Sequence, residues 1–375
     1  MDNFCLLKLN LIGGLNVKKG KVKSVFCILM AVVLCGLGIS SVLNRFIECD
    51  KFRSDLALAA AAFVMPEAGV RKPRAIVDEA VPDAEITEPS SESPASTIDE
   101  PPKPAGPVDL HEDEVHLPVI TSQYGESSVS CSNFYIKDSV GPGTDFESLL
   151  RLPLGFEMED TNEPQVLIFH THTTESYLEY DEGYYHESFY PRTQDNSKNM
   201  VSVGEMLADS LRKHGIGVIH ATEAHDYPEY TGAYDRSWET ITRYVEEYPS
   251  IKVVLDIHRD SIAGDDGSKI KPTFEVNGQK AAQIMIMAGC DPSNEMGFPD
   301  WEYNLRFALK LQECAENMYP GMTRPLYFGY FAYNMPISRG SLLIEVGTDV
   351  NTVYEAQYTG KLLGNVLAKV LQTEG

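Results

Sequence analysis

Apolar positions in the second half of the chain repeat with two different periods. Val166-Leu-Ile-Phe169 is a contiguous apolar run of strand length. Within Met200 to His214, Val203, Leu207 and Leu211 recur at helical spacing ahead of Gly215, a residue suited to follow a helix end. The same reading predicts a strand over Ile216–Ile219, a helix over Tyr234–Tyr248 and a strand over Lys252–Asp256. Phe274 to Gln279 reads as a hairpin turning at Asn277-Gly278 and returning through Gln283–Ala288. A helix over Trp301–Met318, with Leu305, Ala308 and Leu311 on one side, is followed by a strand over Leu342–Val346 and a helix over Val353–Leu371. Alternating strands and helices predict an α/β domain over residues 119–375, built on a single mixed, mainly parallel sheet with helices on both faces.

The first third of the chain reads differently. Ser24 to Leu43 carries no charged residue, enough apolar length to span a bilayer core. Residues 1–23 ahead of it hold Lys8, Lys18, Lys19, Lys21 and Lys23 against the single acid Asp2, which predicts a cytoplasmic N-terminus and an extracytoplasmic remainder. A cleaved signal peptide competes with this reading, but its apolar core is shorter, about 7–15 residues. An uncleaved transmembrane helix over 24–43 is therefore expected. Residues 44–118 follow as a linker; its Pro66–Leu117 stretch holds nine prolines and thirteen acids and lacks apolar periodicity. Such a stretch buries too little surface to offset its ordering entropy and is expected to be disordered and extended.

Composition narrows the function classes. The formal charge of −24 argues against nucleic-acid binding, which needs a basic surface to replace phosphate counterions. Of the seven cysteines, only Cys131, Cys290 and Cys314 fall in the expected domain, too few and too scattered for a disulfide framework.

In α/β sheets, function gathers at the carboxyl ends of strands. Three expected strands end in chemistry-bearing residues: VLIFHTHTTES brings His170, His172 and Glu175, VVLDIHRDS brings Asp256, His258, Arg259 and Asp260, and LLIEVGTD brings Glu345. A catalytic zinc commonly takes three protein ligands from histidine and carboxylate and leaves a position for water. His172, Glu175 and His258 supply that set. Glu345, a charge inside an apolar strand and so costly unless it has a function, supplies the free carboxylate to move a proton. Alternatives remain at individual positions. His170 points to the same side as His172 in an extended segment and is a substrate or second-sphere candidate, and Glu205 competes with Glu175 as the carboxylate ligand. Asp256 either steadies a ligand histidine or pairs with Arg259. Arg259 and Arg339 are candidates for gripping a substrate carboxylate, with surface ion pairing the competing reading. Thr173, Thr174 and Ser176 are suited to cap a helix beginning near Glu175. His220 and His225 read as polar loop residues. The tyrosine-rich TESYLEYDEGYYHESFYPRT reads as a surface loop near the site.

HTHTTESY, SKNMVSVGEMLADSL, HDYPEYTGAYDRSWETI, IKVVLDIHRDS and LLIEVGTDVNT together resemble stage II sporulation protein P, over roughly Val166 to Leu371. The resemblance implies a zinc amidase fold related in topology to zinc carboxypeptidases. It implies an N-acetylmuramoyl-L-alanine amidase acting on peptidoglycan, with a second endopeptidase activity on cross-links, in forespore engulfment alongside stage II sporulation proteins D and M. It also implies His172, Glu175 and His258 as zinc ligands and Glu345 as general base and acid. Two other functions compete: a zinc carboxypeptidase on stem peptides, and a catalytically silent wall-binding module.

Overall fold

The computed structural model describes residues 115–374. The expected cytoplasmic end, the expected membrane helix and the expected linker up to residue 114 lie outside the described residues. Among the described residues no helix is long and apolar enough to cross a membrane.

The strands are β1 (His116–Ser122), β2 (Val129–Cys131), β3 (Phe134–Asp138), β4 (Val166–Phe169), β5 (Tyr184–His186), β6 (Val218–His220), β7 (Val253–Asp260), β8 (Lys269–Val276), β9 (Gln279–Ala282), β10 (Ile284–Gly289), β11 (Leu326–Gly329) and β12 (Gly340–Thr348). The helices are α1 (Phe146–Arg151), α2 (Met200–Lys213), α3 (Ala233–Glu247), α4 (Trp301–Met318) and α5 (Val353–Glu374). An eight-stranded sheet has the order β2-β3-β11-β10-β12-β7-β4-β6, and a four-stranded sheet the order β5-β1-β8-β9.

The expectation of a single, mainly parallel sheet is corrected: there are two sheets, and both are mixed. The cause lies in the hairpin. Asn277 and Gly278 both adopt positive φ (54° and 74°) at the turn, and β8 pairs antiparallel with β9, not with the segment after it. At Gln283 the chain leaves that sheet and enters the larger one as β10. No helix intervenes to reverse its direction, so β10 lies antiparallel to β12 and parallel to β11. Gln283 is fully buried at this corner. Its amide binds the carbonyls of Tyr124 (2.8 Å) and Gly321 (2.9 Å) and receives the Tyr124 N–H (2.7 Å).

Both faces of the large sheet are covered. Val166, Ile168, Leu255, Ile257, Ile344 and Val346 face the core built with α2, α4 and α5. The alternate residues Leu167, Phe169 and Val254 face the other way, against Ile241 of α3. The period-2 alternation thus sends β7 residues 254, 256, 258 and 260 to the α3 face. β7 is longer than expected because Asp256, His258 and Asp260, which look like the polar end of a strand, occupy buried strand positions.

Two caps fix the helices that frame the site. Asn199 caps α2 by accepting the Val201 N–H (3.0 Å). At the start of α5, Glu355 N donates to Thr352 Oγ1 (3.1 Å) and Thr352 N to Glu355 Oε2 (2.9 Å), a reciprocal capping box. Cys131, Cys290 and Cys314 are free thiols.

Candidate metal centre

His172, Glu175 and His258 meet at the carboxyl ends of β4 and β7. One donor atom from each lies within 4.8 Å of the others, and all three residues are buried. Glu175 bridges the pair: Oε1 is 3.7 Å from His172 Nδ1 and Oε2 is 3.6 Å from His258 Nδ1. Glu345 is the partner of His258 in the parallel register of β12 on β7, so both side chains rise from one face of the sheet. Immediately beyond Glu345 the β12/β7 register shifts, and Gly347 takes φ +63°. A Cβ there would meet Asn351 Oδ1 at 2.4 Å, so a side chain at 347 would push on the bulge that ends the pairing beside the site.

HTHTTES forms an irregular turn, not the start of a helix, and two aspartates staple it. Thr171 gives both its N–H (2.9 Å) and its hydroxyl (2.7 Å) to Asp256. Thr174 does the same to Asp226 (3.0 and 2.7 Å). The threonines therefore hold the loop that carries His172 and Glu175, where helix capping was expected.

The electrostatics divide the site. Burial pushes the His172 imidazole down to about 3, which keeps its nitrogens free of an extra proton. Burial acts to raise Glu175, yet Arg259, and then contacts from His258 and His172, hold its carboxyl well below the usual range. Glu345 goes the other way: burial, reinforced by Asp260, pushes it up to about 8. Asp256 Oδ1 lies 2.8 Å from His258 Nε2, and this contact outweighs burial in favouring the charged form of His258; the N–H is poorly aligned for a hydrogen bond. At this site His172 Nε2, His258 Nε2 and Glu345 Oε2 are buried without a hydrogen-bond partner. Two imidazoles and an ionised carboxylate, with an unsatisfied ring nitrogen beside them, are a donor set that fits a divalent metal ion.

The remaining sequence candidates occupy other positions. His170 turns away from the cluster. Its Nδ1 donates to the Ile257 carbonyl (2.9 Å), and its Nε2 meets His220 Nε2 (3.0 Å). Burial, with His220 beside it, pushes His170 down to about 3. Glu205 binds His220 Nδ1 (2.8 Å) and Arg212 (3.0 Å), outside the cluster. Gly204 leaves the room this histidine pair needs, since a Cβ there would meet both rings at 2.5 and 2.6 Å. Arg259 is buried behind Glu175 and is spent on the carbonyls of Ser176 (3.1 Å), Asp260 (3.3 Å) and Pro191 (2.9 Å). Arg339 pairs with Asp300 on the surface and stacks over Tyr303. His225 is a buried structural residue, bound to the His170 carbonyl and Thr240. Two rings of the tyrosine-rich stretch are tied down while Tyr190 stays exposed: Tyr177 is buried with its hydroxyl on the Val346 carbonyl (2.9 Å), and Tyr185 binds the Gly267 carbonyl (2.7 Å).

Four residues missed in the sequence surround the cluster. Arg192 contacts Asp226 (2.6 Å) and Glu175 (3.3 Å) and lies 4.5 Å over the Tyr230 ring. Tyr230 in turn stacks on His172 at 4.7 Å. Tyr234, in the first turn of α3, lies parallel to His258 at 6.4 Å. Asp226, Tyr230 and Tyr234 all fall in HDYPEYTGAYDR, the one signal that pointed to them.

The geometry defines an α/β protein with a candidate metal centre at strand ends and a buried, proton-holding carboxyl beside it. The family model of Stage II sporulation protein P (SpoIIP) matches residues 78–368, and the chain belongs to this family. A curated relative, Stage II sporulation protein P of Bacillus subtilis (strain 168), is 26% identical over 216 residues, 55% of this chain and 50% of its own. The chain thus matches about half the length of that relative. Among solved structures, N-acetylmuramoyl-L-alanine amidase from Clostridium difficile 630 is similar at 16% identity and a TM-score of 0.35, covering 57% of this chain and 100% of its own. The CwlD amidase from Clostridioides difficile, solved with the GerS lipoprotein, is similar at 10% identity and a TM-score of 0.33, over 56% of this chain and 97% of its own.

Proposed function

We propose that the protein is a zinc-dependent peptidoglycan hydrolase, an N-acetylmuramoyl-L-alanine amidase that cuts the amide joining the glycan to its stem peptide. The observation that carries this reading is the buried His172, Glu175 and His258 cluster with Glu345 on the adjoining strand. Membership of the stage II sporulation protein P family supports a role in sporulation.

His172, Glu175 and His258 would hold the zinc, which when bound supplies Lewis acidity at the scissile carbonyl. Glu345 accepts the proton of the attacking water as its oxygen bonds to the carbonyl carbon. It returns that proton to the nitrogen as the C–N bond breaks, releasing an amine. Burial and Asp260 favour the protonated form of Glu345, which suits the second half of that cycle, and a divalent cation held beside it would favour the ionised form that the first half needs. Asp256 orients His258 through its far nitrogen, and Arg192 and Arg259 fix Glu175 from two sides. Endopeptidase action on cross-links, anchoring through residues 24–43 with the catalytic domain outside the cytoplasm, and work alongside stage II sporulation proteins D and M belong to the same reading.

Purified peptidoglycan digested by the full chain tests it. New L-Ala amino ends that vanish with chelator and return with zinc are expected. Release of single D-Ala residues instead would make the protein a carboxypeptidase. No product and no bound metal would leave a wall-binding module.

A further inference from the structure

One face of the large sheet carries a row of residues leading away from the metal centre. Register places Asp256, Leu343, Met287, Tyr327 and Lys137 side by side across β7, β12, β10, β11 and β3. The adjoining row runs His258, Glu345 and Met285. This is the face that α3 covers, but Ile241 of α3 packs over Leu167, Phe169 and Val254, on β4 and β7. Farther along, Met285, Met287 and Leu343 form a separate apolar cluster with Tyr234, Tyr327, Phe331 and Tyr333.

The rings form a continuous series. From His258 the contacts pass to Tyr234 (6.4 Å), Tyr333 (5.5 Å), Phe331 (5.1 Å) and Tyr327 (5.6 Å), where Lys137 lies 5.0 Å over the ring. Phe331, Tyr333 and Tyr327 are half-buried, so the strip keeps an accessible side. Tyr333 takes φ +44°, an unfavourable backbone for an aromatic residue, and its ring is held between two others.

Resting on the amidase reading, we propose that this strip is the subsite for the glycan chain, with successive N-acetylated sugar rings lying along Tyr333, Phe331 and Tyr327 and the stem peptide leaving on the Arg192 side. Sugar rings present C–H faces and acetamido methyls, which aromatic rings accept. Between Glu345 and Lys137 the accessible side of the strip is formed by Tyr333, Phe331 and Tyr327, which lie against the buried Met285, Met287 and Leu343. An ionised stem peptide laid there would lose hydration with no counter-charge. On the other side of the cluster, Arg192 keeps part of its side chain exposed (21%) while pairing with the buried Asp226, and so presents a positive charge.

The test compares the full chain with Phe331→Ala and Tyr327→Ala, and with the conservative Phe331→Tyr and Tyr327→Phe, on two substrates: N-acetylmuramoyl pentapeptide, with one sugar, and long peptide-bearing glycan strands. On long strands kcat/KM is expected to fall about tenfold in each alanine variant, to recover in the conservative ones, and to stay unchanged for the one-sugar substrate. Equal loss on both substrates, or no loss on either, overturns the proposal. Binding is read separately with peptide-free glycan strands and with free stem peptide. Glycan binding weakened by Phe331→Ala supports the strip even if no variant cleaves anything, in which case only the amidase reading falls. Stem-peptide binding that depends on Phe331 overturns it.

Discussion

Glu345 stands directly across from His258 in the register between β12 and β7, which sets its carboxyl beside a candidate metal ligand on a rigid sheet. The pairing gives the two groups a fixed separation that a loop-borne residue would not have. Glu345→Gln keeps the shape and removes the proton acceptor. Hydrolysis of peptidoglycan is expected to fall about 10²–10⁴-fold. Metal content, measured by elemental analysis, should stay at the wild-type level. Full activity in this variant would remove Glu345 from the mechanism.

The three-residue cluster predicts metal stoichiometry. The wild-type chain is expected to bind one zinc, whereas His172→Ala and His258→Ala each lose a buried donor and should retain little or none after dialysis. Equilibrium dialysis followed by elemental analysis reads this without any activity assay. Zinc bound equally by all three proteins would place the metal elsewhere.

Asp256 acts through His258 and through the loop of Thr171. Asp256→Asn keeps the size and weakens both contacts. Zinc affinity is expected to drop about 10–100-fold, measured by competition with a chromophoric chelator. Unchanged affinity would make Asp256 a loop staple only.

The histidine pair behind the sheet predicts a pH-dependent contribution to stability. The hydrogen bond from His220 is the main cause that lowers Glu205 from its ordinary 4.5 to about 2. The folded value lies below the unfolded one, so the contribution is fully present above about pH 4.5 and is lost as pH falls toward 2. Glu205 is half-exposed, and solvent screening limits its contribution to about 1 kcal/mol or less. Urea unfolding of wild type and Glu205→Gln should differ at pH 7, and the difference should shrink below about pH 4.5 and close only as pH falls to about 2. A difference independent of pH would contradict the pairing.

Much of the site was legible because its residues punctuate strands. HxxE after the apolar run of β4, and Glu345 inside an apolar strand, break a pattern that otherwise signals burial. Helices α2, α4 and α5 showed through their spacing for the same reason, each presenting one apolar face to one core. The end of β7 did not, because Asp256, His258 and Asp260 are polar at buried positions, and polarity alone reads as the end of a strand. Strands β1, β2, β3, β5 and β11 carried no clear pattern. Three of them are short, and β1, between β5 and β8 in the four-stranded sheet, has only exposed and half-buried positions. Arg192, Asp226 and Tyr230 reach the cluster through long irregular segments whose closure no local period records, and Tyr234 reaches it from the first turn of α3. The tyrosine-rich stretch was the aromatic segment expected near the site, and the structure sets Tyr230 and Tyr234, from outside it, against the candidate metal-centre histidines.

The central claim is that this site cuts the bond between muramic acid and L-alanine. Mass spectrometry of fragments from peptidoglycan treated with the zinc-loaded full chain reads the cleaved bond directly. The account predicts peptide-free glycan strands together with intact stem peptides beginning in a free L-Ala amine. Stem peptides still attached to muramic acid throughout would contradict it.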